Sequence, residues 1–239
     1  MSTVCPSGRS RPRAALAAAL TAAVLGAAVR GVHPLPAFAA PKGSVVEVAT
    51  RPAFVQPPGA RESAARAGAG LSDRTRLRTS KPGRMQVRLQ DGRSFRMGGD
   101  AVLRISGDSL DLRKGQLIAW INPGATRRAP LRVKTRVGTA SIQGTTLFID
   151  DRGDEVIFLS WEGEVSLTTN AGEEIELTGG QLTTFRAGND TWSAPTLLNR
   201  EQARRRRSNS ILLNGFTAPM ETMPEVEAVL QRAPAAVAP

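Results

Sequence analysis

VGTASIQGTTLFI (residues 137–149) is rich in β-branched residues yet carries two Gly-Thr steps, Gly138-Thr139 and Gly144-Thr145. A phosphate-cradling loop needs four residues between its glycines and a Lys-Ser/Thr pair directly after the second. Here five residues separate Gly138 from Gly144, Thr145-Thr146 follow, and no lysine is available to meet a phosphate. The glycines therefore read as shape. Gly144 allows a close backbone approach or a bulge at a sheet corner, while Thr145, Leu147 and Ile149 continue a strand.

Outward from this stretch, the chain from Lys42 to about Thr191 reads as short strands separated by turns, with no sustained helical period. Met85, Val87 and Leu89 alternate with Gln86, Arg88 and Gln90, Asp91-Gly92 turns the chain, and Phe95 and Met97 resume the alternation, which is a hairpin signature. Further alternating runs include Leu110 and Leu112, Leu131 to Val137, Val165 and Leu167, and Ile175 and Leu177. Turn clusters fall between them at Ser106 to Ser109, Asn122 to Gly124, Asp150 to Asp154, Glu162 to Glu164, Asn170 to Gly172 and Gly179-Gly180. This spacing predicts an all-β fold, an antiparallel sandwich or jelly-roll-like roll, rather than a parallel α/β sheet.

The flanks differ in character. Residues 51–70, RPAFVQPPGARESAARAGAG, are rich in Pro, Ala, Gly and Arg and read as a poorly structured insert or long loop, or alternatively a linker, after a first strand near Val45 to Val48. From residue 196 to 239 a basic helical tail is expected, partly disordered: TLLNREQARRRRSNS is helix-compatible, ILLNGF is a short apolar patch, and PEVEAVLQRA suits a helix. In that last piece Pro224 opens the helix, Glu225 and Glu227 suit its positive end, and Val226, Val229 and Leu230 share a face.

Residues 1–39 read as an export signal, with Arg9, Arg11 and Arg13 ahead of the uncharged run AALAAALTAAVLGAAV and small residues Ala37 and Ala39 at the cleavage point. That run of sixteen residues falls short of the roughly 20 needed to span a bilayer, so cleavage after Ala39 and a periplasmic or secreted chain with no integral membrane span are expected. Cleavage removes Cys5 and His33, the only cysteine and histidine of the 239-residue chain, which has no tyrosine at all. A disulfide, a thiolate nucleophile, an imidazole base and a Cys/His metal site are thereby excluded. Four arginines and no acidic residue leave with the signal, so the net charge falls from +11 to +7. The balance favours anionic partners. Nucleic acid is not among those expected, because three Trp and seven Phe provide no aromatic interleaving of the basic residues.

No catalytic, cofactor-binding or metal-ligating set emerges. Asp150 to Glu155 has the carboxylate density of a calcium loop without its alternating spacing, and reads as a solvated hairpin tip. Glu162 and Glu164 could imitate a glycosidase pair, but around Gly163 they read as flanking a turn. Arg204, Arg205, Arg206 and Arg207 advance about 100° per step on a helix and read as a solvated collar, with contact to anionic glycan or lipid as the functional alternative. Trp120, Trp161 and Trp192 read as core or rim residues, Trp161 being the one expected to be partly exposed.

Five segments together resemble the periplasmic FecR domain: LQDGRSFRMGG (89–99), LRKGQLIAWINPG (112–124), LRVKTRVGTASIQGTTLFIDD (131–151), VIFLSWEGEVSL (156–167) and IELTGGQLTTF (175–185). The matching positions are Asp91-Gly92, Gly115, Thr135 with Gly144-Thr145 and Phe148, Gly163 with Val165 in a hairpin, and Gly180. The resemblance covers about residues 43–188 and implies a jelly-roll-like, non-enzymatic domain that contacts an envelope or outer-membrane protein and serves envelope signalling. It assigns no binding residue by chemical motif.

Overall fold

The computed structural model describes residues 41–124, 130–188 and 191–235. The segment read as an export signal, with Cys5, His33, Ala37 and Ala39, lies outside them, as do residues 236–239.

Described structure begins with β1 (Gly43–Thr50), β2 (Ala53–Gln56), β3 (Ser63–Ala64) and β4 (Gly70–Leu71). Residues 51–70, expected as an unstructured loop or linker, thus hold two strands and begin a third. Local composition is overridden by tertiary pairing: Ala53 and Val55 are buried opposite Thr79 and Leu77 of β5 (Arg76–Thr79), and Ala65 is buried as well. Arg78 adds a clamp, its guanidinium 4.0 Å from the Phe54 ring centre and 2.5 Å from Glu62.

The expected hairpin is β6 (Arg84–Leu89) and β7 (Arg93–Ser106), with Met85 opposite Met97 and Val87 opposite Phe95 across the Asp91-Gly92 turn. Then come β8 (Ser109–Ile121), β9 (Leu131–Lys134), β10 (Gly138–Ile142), β11 (Thr146–Asp151) and β12 (Glu155–Glu162). β13 (Val165–Thr169), β14 (Glu174–Leu177), β15 (Gln181–Arg186) and β16 (Thr196–Leu197) complete the sheet, and α1 (Arg200–Asn209) and α2 (Met223–Arg232) follow.

The long strands β7 and β8 fold the sheet over. The first part of β7 pairs with β6 and its end with β5, while the start of β8 pairs with β9 and its second half with β11. Between the parts the β7–β8 register shifts, from Gly98 to Val102, as a bulge that bends a sheet requires. Gly115 is obligatory at this bend: its φ is +87°, and a Cβ there would fall 2.3 Å from Ala101 Cα. One half of the fold is then β1-β6-β7-β8-β11-β12-β15-β16, the other β2-β5-β7-β8-β9-β10-β13-β14. The all-β architecture is as read from the sequence, but the sheet is mixed rather than purely antiparallel, because β9 runs parallel to the start of β8.

Several connections cross between the halves, two of them in the middle of the chain. β10 leads into β11 through Gln143-Gly144-Thr145, and β12 leads into β13 through Gly163-Glu164. The segment around Gly163 is therefore not a hairpin, since β12 pairs with β11 and β15 while β13 pairs with β10 and β14. The crossovers are stitched together: Thr145 Oγ1 donates to the Glu164 carbonyl at 2.8 Å, and a Cβ on Gly163 would fall 2.9 Å from that hydroxyl. Gly144 has φ +70° with nothing near its Cβ direction, so it supplies a corner rather than a close approach. The close approach belongs to Gly138, whose Cβ would meet the Thr168 carbonyl at 2.3 Å.

Between the halves lies a core that includes Leu77, Met85, Phe95, Leu117, Ile149, Phe158 and Leu167, with Trp192 edge-on to Phe158 and Phe185 at 5.1 and 5.4 Å. Alternate residues of the same strands point the other way, Ile118 and Trp120 from β8 and Leu159 and Trp161 from β12, and these form a second cluster with Leu198, Ala203, Leu212, Leu213, Val226 and Leu230. The C-terminal segment, read from the sequence as a basic helical tail, therefore packs on the outer face of the sheet as far as Ala233. Trp161, expected to be partly exposed, is 2% exposed for the same reason.

Candidate functional site

The C-terminal segment is fastened at each stage. Asn199 caps α1 by accepting from the Gln202 backbone at 2.9 Å while the Gln202 side chain accepts from Asn199 N–H at 3.0 Å, a reciprocal capping box. Residues 210–222 then cross the outer face of the sheet as a strap of turns and bends. Arg96 of β7 donates to the carbonyls of Leu212 and Ala218 at 2.9 and 2.8 Å and to Gln86 Oε1 at 2.8 Å, and its guanidinium lies 4.3 Å from the Phe216 ring. Burial pushes the Arg96 pKa down to about 10, against the pull of Glu47 and Glu221. Glu47 of β1 accepts from Thr217 N–H, Thr217 Oγ1 and Ala218 N–H at 2.7–3.1 Å. Burial raises its pKa, but those bonds and the charge of Arg96 outweigh that, so it sits below the usual carboxylate value. Further along, Trp120 Nε1 donates to Glu221 at 2.9 Å, Arg88 pairs with the same carboxylate, and Thr146 bridges Thr222 and Glu162.

Sequence reading missed Arg96 and Gln86 because strict alternation assigns them to solvent. The signal was present nearby: LIAWI (117–121) and VIFLSW (156–161) are nearly continuous apolar runs, the mark of strands covered on both faces.

The remaining singled-out residues separate. Asp150 and Asp151 are not at a solvated tip: they end β11, 4% exposed each, paired with Arg152 at 2.7 Å and Arg136 at 3.0 Å, while Arg152-Gly153-Asp154 forms the exposed tip. Glu162 is buried against Thr146 and held above the usual carboxylate range by burial, whereas Glu164 is exposed, so the two form no pair. Asp91 and Gly92 form the β6–β7 turn, where the Asp91 carboxylate accepts from Arg93 N–H at 3.2 Å. Thr135 closes the β9–β10 turn by accepting from Val137 and Gly138 N–H, both at 3.3 Å, and donating to the Gly138 carbonyl. Gly180, at φ +86°, turns the chain into β15, and Val165 is buried in the inner core.

The four arginines of α1 do not form a collar. Arg207 is an internal strut, 2.7 Å from Glu227 of α2 and 2.5 Å from Asn214 Oδ1. Arg204 is exposed on a face shared with Arg200 and Ser208. Arg205 and Arg206 flank a groove of about 920 Å³ between α1 and the β11–β12 hairpin. Its apolar part is Phe148, Leu159, Trp161 and Ile211, and its polar rim carries Lys81, Asp100, Lys114, Gln116, Asp150 and Arg152.

With this geometry in place, comparison with known proteins adds the following. Residues 75–166 match the family model described as FecR protein. That segment is a FecR domain. It spans β7, β8 and the β10–β11 and β12–β13 crossovers, so Gly115, Gly144-Thr145 and Gly163 sit where the sheet of this chain turns over or changes halves; β1 to β4 and β14 to β16 lie outside the matched residues but inside the same sheet. Two crystal structures of a candidate anti-sigma factor from Parabacteroides distasonis ATCC 8503 are similar, at 13% and 14% identity with TM-scores of 0.45 and 0.42, over 55% and 52% of this chain. The chain spans 64% and 60% of the length of those two structures. A search of the curated proteins finds no match.

Proposed function

We propose that this chain is a non-enzymatic FecR-type module that makes protein contacts in the periplasm as part of envelope signalling. The FecR domain at residues 75–166 is the observation that carries this reading. The acids that suggested chemistry support it, since Asp150, Asp151 and Glu162 are each engaged by the fold itself. The alternative, an envelope-surface binder that holds anionic glycan or lipid through Arg204 to Arg207, is weakened by the commitment of Arg207 to Glu227 and Asn214.

Photo-crosslinking in intact cells tests the reading. A crosslinker placed at exposed Glu174 on edge strand β14, at Asp154 on the hairpin tip or at Ile211 beside α1 should yield discrete protein adducts of reproducible mass. Adducts to lipid or glycan alone at all three positions would overturn it in favour of the surface binder.

A further inference from the structure

The groove beside α1 has charges that its own walls do not satisfy. Among its lining residues, Lys81 pairs with Asp100 at 3.7 Å, Arg152 with Asp150, and Asp151 is taken by Arg136. Lys114, Arg205 and Arg206 have no ion-pair partner among the described residues. Arg206 is the most telling, because it is half-buried and makes no side-chain hydrogen bond among the described residues. Burial lowers its pKa, and the charge of Arg152 adds to the effect against the pull of Asp150 and Glu155. A cation held in this way is stabilised by an incoming anion more than an exposed one would be.

The apolar part of the groove is equally unspent. Ile211 is 41% exposed, one of two large hydrophobic residues left so open among the described residues, and Phe148 is only half-buried above Leu159 and Trp161. Trp161 also keeps a buried Nε1 with no hydrogen-bond partner among the described residues. An apolar floor under a cationic rim calls for a ligand that is both aliphatic and anionic. A flat bilayer presents its headgroups to protruding side chains, whereas here the cations line a recess, and a glycan polyanion offers nothing to Phe148 and Ile211.

We infer that this groove binds an extended acidic segment of a protein partner, with an aliphatic side chain between Phe148 and Ile211 and carboxylates on Arg205, Arg206 and Lys114. The inference rests on the protein-contact reading above and names the chemistry of that contact. It also gives the arginine run distinct roles, since Arg204 carries the same charge on the same helix but lies outside the groove.

The test is fluorescence anisotropy of the full chain with a labelled octapeptide of alternating glutamate and leucine, at near-physiological salt where surface charge is screened beyond about 8 Å. Binding should weaken by about tenfold or more in Arg206→Gln and in Ile211→Glu, each of which alters a side chain without a partner, and by less than about twofold in Arg204→Gln. Unchanged thermal melting of the three variants secures the comparison. Equal weakening by Arg204→Gln, or equal binding of a glutamine-leucine peptide, would overturn the inference in favour of bulk charge or bulk hydrophobicity. Arg206-dependent binding to phosphatidylglycerol vesicles with none to the peptide would overturn it in favour of a lipid surface. Failure here alongside protein adducts at Glu174 or Asp154 removes the groove and leaves the protein-contact reading standing; absence of protein adducts everywhere removes that reading.

Discussion

The same strands face two different interiors. Toward the other half of the sheet, β8 and β12 present Leu117, Ala119, Val156 and Phe158 to an apolar core; toward the C-terminal strap, they and their neighbours present Trp120 and Trp161 together with Gln86, Arg96, Thr146 and Glu162. The inner core is held by area and packing, which are non-directional. The outer interface is held by directed hydrogen bonds to strap backbone, so it depends on individual side chains aimed at particular carbonyls and amides. Packing tolerates exchange of one apolar residue for another of similar volume, whereas a buried carbonyl that loses its donor has no substitute.

Substitutions can break this contrast in order of size. Phe158→Ala, in the inner core against Trp192, should cost about 3–5 kcal/mol in denaturant unfolding. Arg96→Met keeps most of the volume but leaves the Leu212 and Ala218 carbonyls and Gln86 Oε1 unpaired, and should cost about 2–3 kcal/mol while opening residues 210–222 to limited proteolysis. A neutral Arg96→Met would mean that the outer face is held by packing after all. Glu47→Gln should cost about 1 kcal/mol at neutral pH. Because Glu47 has a lowered folded-state pKa, its contribution is present above the ordinary value of 4.5 and is lost as pH falls through the folded value. The stability gap between Glu47→Gln and the native protein should therefore close in acid, measured as unfolding midpoints from pH 7 to pH 3. Smallest is the pair on α1: Arg207→Gln should cost about 1 kcal/mol through its links to Glu227 and Asn214, and Arg204→Gln less than about 0.5 kcal/mol.

What the sequence disclosed follows the same division. The β6–β7 hairpin was legible because Met85, Val87, Phe95 and Met97 alternate around a turn that needs Gly92, and both the signal and its cause are local. The position of Gly115 was legible only as part of a resemblance. Its reason, a backbone contact with Ala101, appears once the register across β7 and β8 is known. Residues 51–70 misled because their composition is that of a loop, while the pairing that orders Ala53 and Val55 comes from β5. Arg96 misled most, since a charged residue in an alternating strand reads as solvent-facing unless something distant covers it, and its cover arrives 116 residues later. The groove was invisible for a related reason: Arg204 to Arg207 look equivalent in sequence, and only the packing of α1 on β12 and α2 assigns one to a strut, two to a recess and one to water.

The clasp between Glu47 and Thr217 spans 170 residues, tying the first described strand to one of the last segments of the chain. Its consequence concerns manufacture as much as stability. Until Thr217 and Ala218 have emerged and docked, Arg96 lacks its two carbonyls, Glu47 its amides, and Ile118, Trp120, Leu159 and Trp161 face water. A chain clipped before residue 210 would remain in that state and present an apolar face to water, with the guanidinium of Arg96 uncovered at its centre. The last-made part of the described chain is thus the part that closes the outer face.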